Sequence, residues 1–98
     1  MIITYDAELA DSDDPALDCG AVTTALVNAA WSRGLGAVIN SQGIMQSPVV
    51  REHANIADDQ VIMKAVALGW PDDSFPANAV VSERKPVEEA AAFLGFSE

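Results

Sequence analysis

Two polar segments of the sequence carry side chains whose types and spacing suit ligand binding. The first, Asn40-Ser41-Gln42-Gly43, follows an apolar run, at the kind of strand end where open sheets commonly bind ligands. Its glycine would let backbone N–H groups approach a planar ligand, although many strands end in a similar polar loop. The segment therefore suggests a binding loop without identifying a ligand.

The second polar segment, Ser82-Glu83-Arg84-Lys85-Pro86, holds the only adjacent pair of basic residues in an acidic chain. A guanidinium placed just before a helix could bind a phosphate through two parallel hydrogen bonds. The simpler interpretation is an exposed ion pair with a nearby glutamate, which contributes little to stability. From spacing alone, the ion pair is the favoured interpretation.

The other reactive side chains lack the neighbours that their chemistry needs. His53 has no second His or Cys at ligand spacing, which favours a surface residue over a zinc ligand. Cys19 has no nearby base to lower its pKa, so it is interpreted as a small helix residue. The acidic run at residues 11–14 lacks the glycine and the final glutamate of a calcium loop. No nucleotide-binding glycine motif or nucleophile elbow occurs, while a Ser–His–Asp triad assembled in space stays open.

Charge and composition exclude several classes of partner. The 98 residues contain 15 acidic and 5 basic side chains, a formal net charge of −10. Such an excess argues against nucleic acid, which requires a basic patch, and against an anionic membrane surface. No apolar stretch approaches the ~20 residues of a membrane span, and the acidic N-terminal segment does not resemble a signal peptide. A single cysteine fits a reducing compartment, so we expect a cytoplasmic protein. The length of 98 residues allows one domain at most.

The apolar pattern predicts strands and helices in the order β, α, β, short α, β, α, which is typical of α+β or α/β domains. Strands are predicted at residues 1–5, 35–39 and 61–68, the last central, buried on both faces and interrupted only by Lys64. Residues 6–18 are predicted to form a loop. Helices are predicted at residues 18–33, from Ser47 to about residue 54, and from Pro86. The first helix should be capped by Asp18 and end at Gly34, and its expected buried face consists of Val22, Ala25, Leu26, Ala29 and Ala30.

A succession of short motifs extends over nearly the whole chain, from about Ile2 to Phe96. They are AWSRGLG at residues 30–36, QG at 42–43, PVVRE at 48–52, AVALGWPD at 65–72, PAN at 76–78 and RKPVEE at 84–89. Their order and spacing resemble the C-terminal half of the FMN-dependent nitroreductase family. The resemblance implies a three-layer α+β flavoprotein that passes electrons from NAD(P)H through FMN to nitroaromatics, quinones or similar acceptors.

The same resemblance implies roles for particular residues. Asn40, Ser41, Gln42 and Gly43 would face the flavin ring, and Arg84 would hold the FMN phosphate. Ser82 stands where some members have a second basic residue. The resemblance also implies active sites at a homodimer interface, with the apolar tail at residues 93–96 crossing to the partner. It implies no catalytic side chain and no metal ligand in this half.

The chain also departs from the family pattern. An Arg- and Ser-rich motif that binds the FMN phosphate and ribityl chain, and the helices that follow it, have no counterpart here. We therefore expect residues 1–98 to correspond to a C-terminal half whose N-terminal half is absent. Two alternatives stay open: a non-enzymatic half-domain that folds by oligomerising or by pairing with that missing half, without bound flavin, and an unrelated acidic interaction module.

Overall fold

Three strands form one antiparallel sheet in the computed structural model, which describes residues 1–95. The strands are β1 (Ile2–Asp6), β2 (Gly36–Asn40) and β3 (Gln60–Gly69), and their order in the sheet is β1-β3-β2. The register pairs Ala65 of β3 with both Ile2 of β1 and Asn40 of β2. The predicted positions of the strands and the central place of the third are thus confirmed, and the architecture is α+β.

One long helix, α1 (Asp14–Trp31), packs against the sheet. It begins earlier than predicted, so the loop prediction for residues 14–18 and the capping role of Asp18 are wrong. The physical reason is Pro15, whose fixed φ and missing N–H suit the first turn of a helix. The helix is followed by Gly34 at φ +74°, the left-handed position that its sequence predicted.

The buried face of α1 differs from the predicted one. It consists of Pro15, Cys19, Thr23 and Ala30, with Leu26 half-buried against the same core. Three members of the predicted face, Val22, Ala25 and Ala29, are exposed instead. Thr23 is tolerated inside because its hydroxyl donates to the Cys19 carbonyl one turn earlier. Cys19 is a packing residue, as predicted.

The core between α1 and the sheet is small. Its centre is Ile3, Cys19 and Val66, with Tyr5, Leu26, Val27, Ala37 and Met63 packed around it. Ile62 and Val66 are the two fully buried side chains of β3, whereas the rest of that strand is half-buried or exposed. The prediction that β3 is buried on both faces is therefore wrong, because α1 covers one face of the sheet. The strand β2 was expected to be buried but is a half-exposed edge strand.

Two shorter helices follow the predicted start signals. The helix α2 (Pro48–His53) begins with Pro48, and the Ser47 hydroxyl accepts a hydrogen bond from the Val50 N–H at 3.3 Å. The helix α3 (Val87–Ala90) is a single turn that begins directly after Pro86. Short 3₁₀ turns occupy Ala7–Leu9 and Pro76–Ala79.

Residues 71–95, which we call the C-terminal arm, are all exposed. The radius of gyration is 17.5 Å, whereas a compact domain of this length has about 13 Å. The arm carries apolar side chains into solvent, among them Phe75, Val80, Val81, Val87, Phe93 and Leu94. Phe96, the last residue of the predicted apolar tail, lies outside the described residues.

Candidate functional site

The loop of Asn40, Ser41, Gln42 and Gly43, hereafter loop 40–43, continues directly from the end of β2. Gly43 has φ +76°, and a Cβ at this position would meet no atom within 4 Å. A glycine is thus required by the backbone conformation, and the space beside it is open to an approaching ligand. Asn40 and Gln42 are exposed, so their amide groups are available to a partner.

One charged side chain reaches this loop from the sheet. The Lys64 ammonium in β3 donates a hydrogen bond to the Ser41 hydroxyl at 2.8 Å, and both residues are half-buried. The ladder explains this contact, because Asn40 pairs with Ala65 and the next residues in each direction are Ser41 and Lys64. Loop 40–43 therefore starts at a fixed point beside the central strand.

A second cation fixes the far end of the same connection. The Arg51 guanidinium of α2 donates to Gln46 Oε1 at 3.1 Å and to the Gln60 carbonyl at 2.9 Å. It also donates to the Ala57 carbonyl. Arg51 thus joins the loop before α2 to the start of β3. The polypeptide between β2 and α2 is held at both ends by side chains that the sequence analysis did not assign to the site.

The second predicted segment lies on the C-terminal arm. Ser82 and Arg84 are exposed, and the Arg84 Nη1 donates to the Glu83 carbonyl at 3.0 Å. This bond goes to a backbone oxygen rather than to a carboxylate, and it uses one of the five guanidinium donors. Within residues 1–95, no hydrogen bond joins this segment to loop 40–43, and α3 makes no extensive contact with the sheet. The structure thus does not bring the two predicted halves of the site together.

An apolar cleft of about 810 Å³ lies at the opposite end of the sheet, where β2 begins and β3 ends. None of the predicted site residues lines it. Three aromatic side chains contribute to its wall, and Asp72 also lines it; the lining includes Trp31, Leu35, Leu68, Trp70 and Phe75. The Ser74 hydroxyl and backbone N–H donate to the Asp72 carboxylate at 2.6 and 3.0 Å. These two hydrogen bonds hold the pKa of Asp72 below its ordinary value.

The weaker candidates from the sequence do not form a site. His53 is exposed, and its Nδ1 lies 3.0 Å from the Val49 carbonyl oxygen. Across the described residues 1–95, no group of three His, Cys, Asp or Glu side chains is arranged to hold a metal ion. The sheet is antiparallel, so the rule that ligands bind at the carboxyl ends of parallel strands does not apply to loop 40–43.

Comparison with known proteins identifies the family. The sequence model of the nitroreductase family matches residues 1–70, which include all three strands, α1 and loop 40–43. The chain belongs to the nitroreductase family. Its members are generally flavin-dependent and generally form dimers. The resemblance deduced from the motifs is thereby confirmed at family level, and the matched segment ends before Ser82 and Arg84.

Three relatives are named for the reduction of nitroaromatic compounds. The chain is 36% identical over 66 residues to nitrobenzene nitroreductase of Ectopseudomonas oleovorans and 35% identical over 66 residues to chloronitrobenzene nitroreductase of Comamonas testosteroni. Each alignment covers 67% of this chain and 29% of the relative. The 4-nitrobenzoate reductase of Nocardioides sp. (strain LMS-CY) is 30% identical over 78 residues, 80% of this chain and 32% of that protein. The chain thus spans about a third of the length of the relatives it matches.

Family membership supports an oxidoreductase role in general. Within the part of the chain that the structure describes, no helix is both long enough and apolar enough to cross a membrane.

The sequence did contain a signal for Lys64, since it is the one charge in the apolar run of β3. Arg51 had no comparable signal, because its partners are the Gln46 side chain and two backbone carbonyls, those of Ala57 and Gln60, which become neighbours only when the chain is folded.

Proposed function

We propose that this chain supplies the flavin-contacting part of an FMN-dependent oxidoreductase that transfers electrons from NAD(P)H to nitroaromatics, quinones or similar acceptors. The observation that carries the proposal is the family match over residues 1–70, which includes loop 40–43. The three named relatives support nitroaromatic compounds as the acceptor class. In this proposal, residues 1–98 form the C-terminal half of a three-layer fold.

The donors around loop 40–43 fit a flavin ring. The ring presents carbonyl oxygens and ring nitrogens along one edge, which require hydrogen-bond donors. Asn40 and Gln42 carry exposed amides, and the open space beside Gly43 lets a planar group approach the backbone. The Lys64 ammonium beneath the loop adds a positive charge. These residues would bind and orient the ring, while FMN, when bound, supplies the hydride and electron-transfer chemistry.

Arg84 is the proposed partner of the FMN phosphate. A chain of net charge −10 repels a dianionic phosphate unless a cation lies close to it. The Arg84 guanidinium is exposed and makes its described hydrogen bond to a backbone carbonyl, so most of its donors remain for a ligand. Ser82, two residues earlier, could add a hydroxyl donor but no charge. No side chain of this chain is proposed to carry out bond breaking itself.

The proposed assembly is a homodimer whose C-terminal arms cross between subunits. Its support is the run of exposed apolar residues on the arm, which includes Phe93 at 69% and Leu94 at 87% exposure. Apolar side chains so accessible at one end of a chain are typical of interaction surfaces. In such a dimer, Arg84 on the crossing arm and loop 40–43 on the sheet need not meet within one subunit.

The experiment that tests the proposal is a visible absorption spectrum of the purified chain with FMN, recorded together with the mass in solution. Flavin that co-elutes with a dimer would support the proposed site. A colourless protein at every FMN concentration would contradict FMN binding by this chain.

A change at Arg84 tests the phosphate contact. Arg84→Ala should weaken FMN binding by about 1.5–3 kcal/mol, since this is the contribution of a hydrogen bond to a charged group. The dissociation constant, measured by quenching of flavin fluorescence, should rise about 10- to 100-fold. Arg33→Ala removes another exposed guanidinium, which donates to the Ala29 carbonyl of α1, and should leave binding unchanged. Equal FMN affinity in wild type and Arg84→Ala would contradict the assignment.

One observation favours a second candidate, a non-enzymatic half-domain that pairs with another polypeptide. The core is centred on few residues, and the whole C-terminal arm is exposed. Such a chain would gain most of its stability from a partner surface rather than from its own core. The spectrum separates the two candidates, because the half-domain would associate without taking up flavin.

A further inference from the structure

Lys64 is the one charged residue of the ten-residue central strand β3. Its immediate neighbours along the strand, Met63 and Ala65, are apolar, and Val66 two positions on is fully buried. An ammonium group in the middle of a sheet loses hydration, so the position is unfavourable unless the group has a polar partner. That partner is the Ser41 hydroxyl, 2.8 Å away.

The contact joins the central strand to the predicted flavin loop. Among the described residues, Lys64 is the cationic side chain that hydrogen-bonds to loop 40–43, while Arg51 contacts the same connection further on, at Gln46. The antiparallel register fixes this arrangement, because Ser41 is the first residue after the last pair of the β2–β3 ladder. Lys64 therefore holds the loop at Ser41 and carries a positive charge to it.

We propose that Lys64 positions loop 40–43 through Ser41 and supplies the positive charge that favours the reduced form of the bound flavin. The inference rests on the proposed function. A reduced flavin carries an additional negative charge when its ring is deprotonated, and a nearby ammonium stabilises that form relative to the oxidised one. Charge beside the ring is one of the ways in which proteins tune a flavin. A lysine that served packing alone would be replaceable by methionine, which has a similar length and no charge.

The test compares Lys64→Met with Lys64→Arg and Ser41→Ala in the full chain with FMN. Lys64→Met should lose about tenfold in its preference for reduced over oxidised FMN, which is ~30 mV in a two-electron midpoint potential. Lys64→Arg keeps the charge and should stay within about threefold of wild type. A midpoint potential that is the same in Lys64→Met and wild type would overturn the electrostatic role.

A second measurement does not require flavin. Backbone ¹⁵N order parameters of Ser41, Gln42 and Gly43 should be near the ~0.85 of rigid backbone in wild type and should fall below ~0.6 in Lys64→Met and in Ser41→Ala. Ser41→Ala changes a half-buried loop residue rather than the central strand, so it tests the anchor even if Lys64→Met fails to fold. Unchanged order parameters in Ser41→Ala would overturn the positioning role.

The two measurements separate this inference from the proposed function. If the wild-type chain binds no FMN, the proposed function fails and the flavin part of the inference fails with it. The order parameters then decide the anchoring role independently. If wild type binds FMN and Lys64→Met matches it in potential and in order parameters, the proposed function stands and the inference alone is wrong.

Discussion

The pKa of the Asp72 carboxyl group is lowered by hydrogen bonds from a residue close to it in the chain. It accepts two hydrogen bonds from Ser74, and these favour its charged form. Because its pKa is lower in the folded chain than in the unfolded one, the resulting stabilisation is present above the unfolded pKa. It is lost as the pH falls through the folded pKa. Mild acid should therefore leave this turn intact, and stronger acid should loosen it.

Ser74→Ala should raise the pKa of Asp72 toward its ordinary value, because both the hydroxyl donor and the geometry that aligns the Ser74 N–H are disturbed. An NMR titration that follows the Asp72 side-chain carboxyl carbon measures the change. Ser82→Ala removes an exposed hydroxyl elsewhere on the arm and should leave the Asp72 midpoint unaltered. If the midpoint in Ser74→Ala equals that of wild type, the Ser74 bonds are not the cause.

At the residue scale, some residues of the candidate site could be recognised from the sequence, whereas the contacts between side chains could not. Loop 40–43 and Gly43 could be recognised from composition and from the family motif, since glycine has few alternatives at φ +76°. The contacts of Lys64 and Arg51 could not be predicted. The partner of Lys64 lies 23 residues away and the partners of Arg51 lie five to nine residues away, and they meet only through strand register and helix packing. Arg84 was placed by resemblance alone, and its role stays a prediction.

The packing of the helices and strands depends on a contact between α1 and the sheet that involves few buried residues. The fully buried Ile62 and Val66 belong to β3, and the α1 face that packs on the sheet presents small residues such as Cys19 and Ala30. A packed core contains few voids, so the loss of one large side chain opens a cavity. The stability of the elements should therefore be concentrated in few positions.

Ile62→Ala should destabilise the chain by about 2–5 kcal/mol, since it removes a fully buried aliphatic side chain and leaves a cavity. Urea unfolding followed by circular dichroism measures the difference. Val49→Ala, at a position on α2 that is 62% exposed, is the matched control and should change stability by less than about 0.5 kcal/mol. Equal losses in the two variants would show that Ile62 does not lie in a core.

The order and type of the elements were predictable because strong start signals lie at their ends. Ser47-Pro48 marked the beginning of α2, and the apolar run of residues 61–68 marked the central strand. The rotational phase of α1 was not predictable from its many alanines, which suit either a buried or an exposed face. Pro15 and Thr23 lie on the buried face, and neither is apolar enough to be counted in a hydrophobic stripe.

The whole molecule exposes far more surface than a compact monomer. Its accessible area is 8063 Å². A compact protein of 10.3 kDa exposes about 5,400 Å². The excess is comparable to the area that obligate interfaces bury, which is roughly 2,000–5,000 Å². The exposed apolar residues of the C-terminal arm contribute to this excess, so association is the expected state of the chain.

Replacing Phe93 and Leu94 together by serine should weaken self-association, because both side chains would lose their burial at the proposed interface. Sedimentation equilibrium should give the mass of a dimer for wild type and a shift toward the monomer for the double variant. Leu9→Ser changes an apolar residue that is 53% exposed and lies away from the arm, and it should have no effect. A monomeric wild type would contradict the proposed homodimer.

The place of β2 at the side of the sheet has a consequence for handling the chain. Its segment Gly36–Asn40 contains neither a charged residue nor a proline, and Val38 and Ile39 are largely exposed. Edge strands of this composition offer free backbone groups to other strands and are common starting points for cross-β fibrils. A purified chain without its partner should therefore convert slowly into fibrils on storage. Val38→Lys would place a charge on this edge strand and should prevent that conversion.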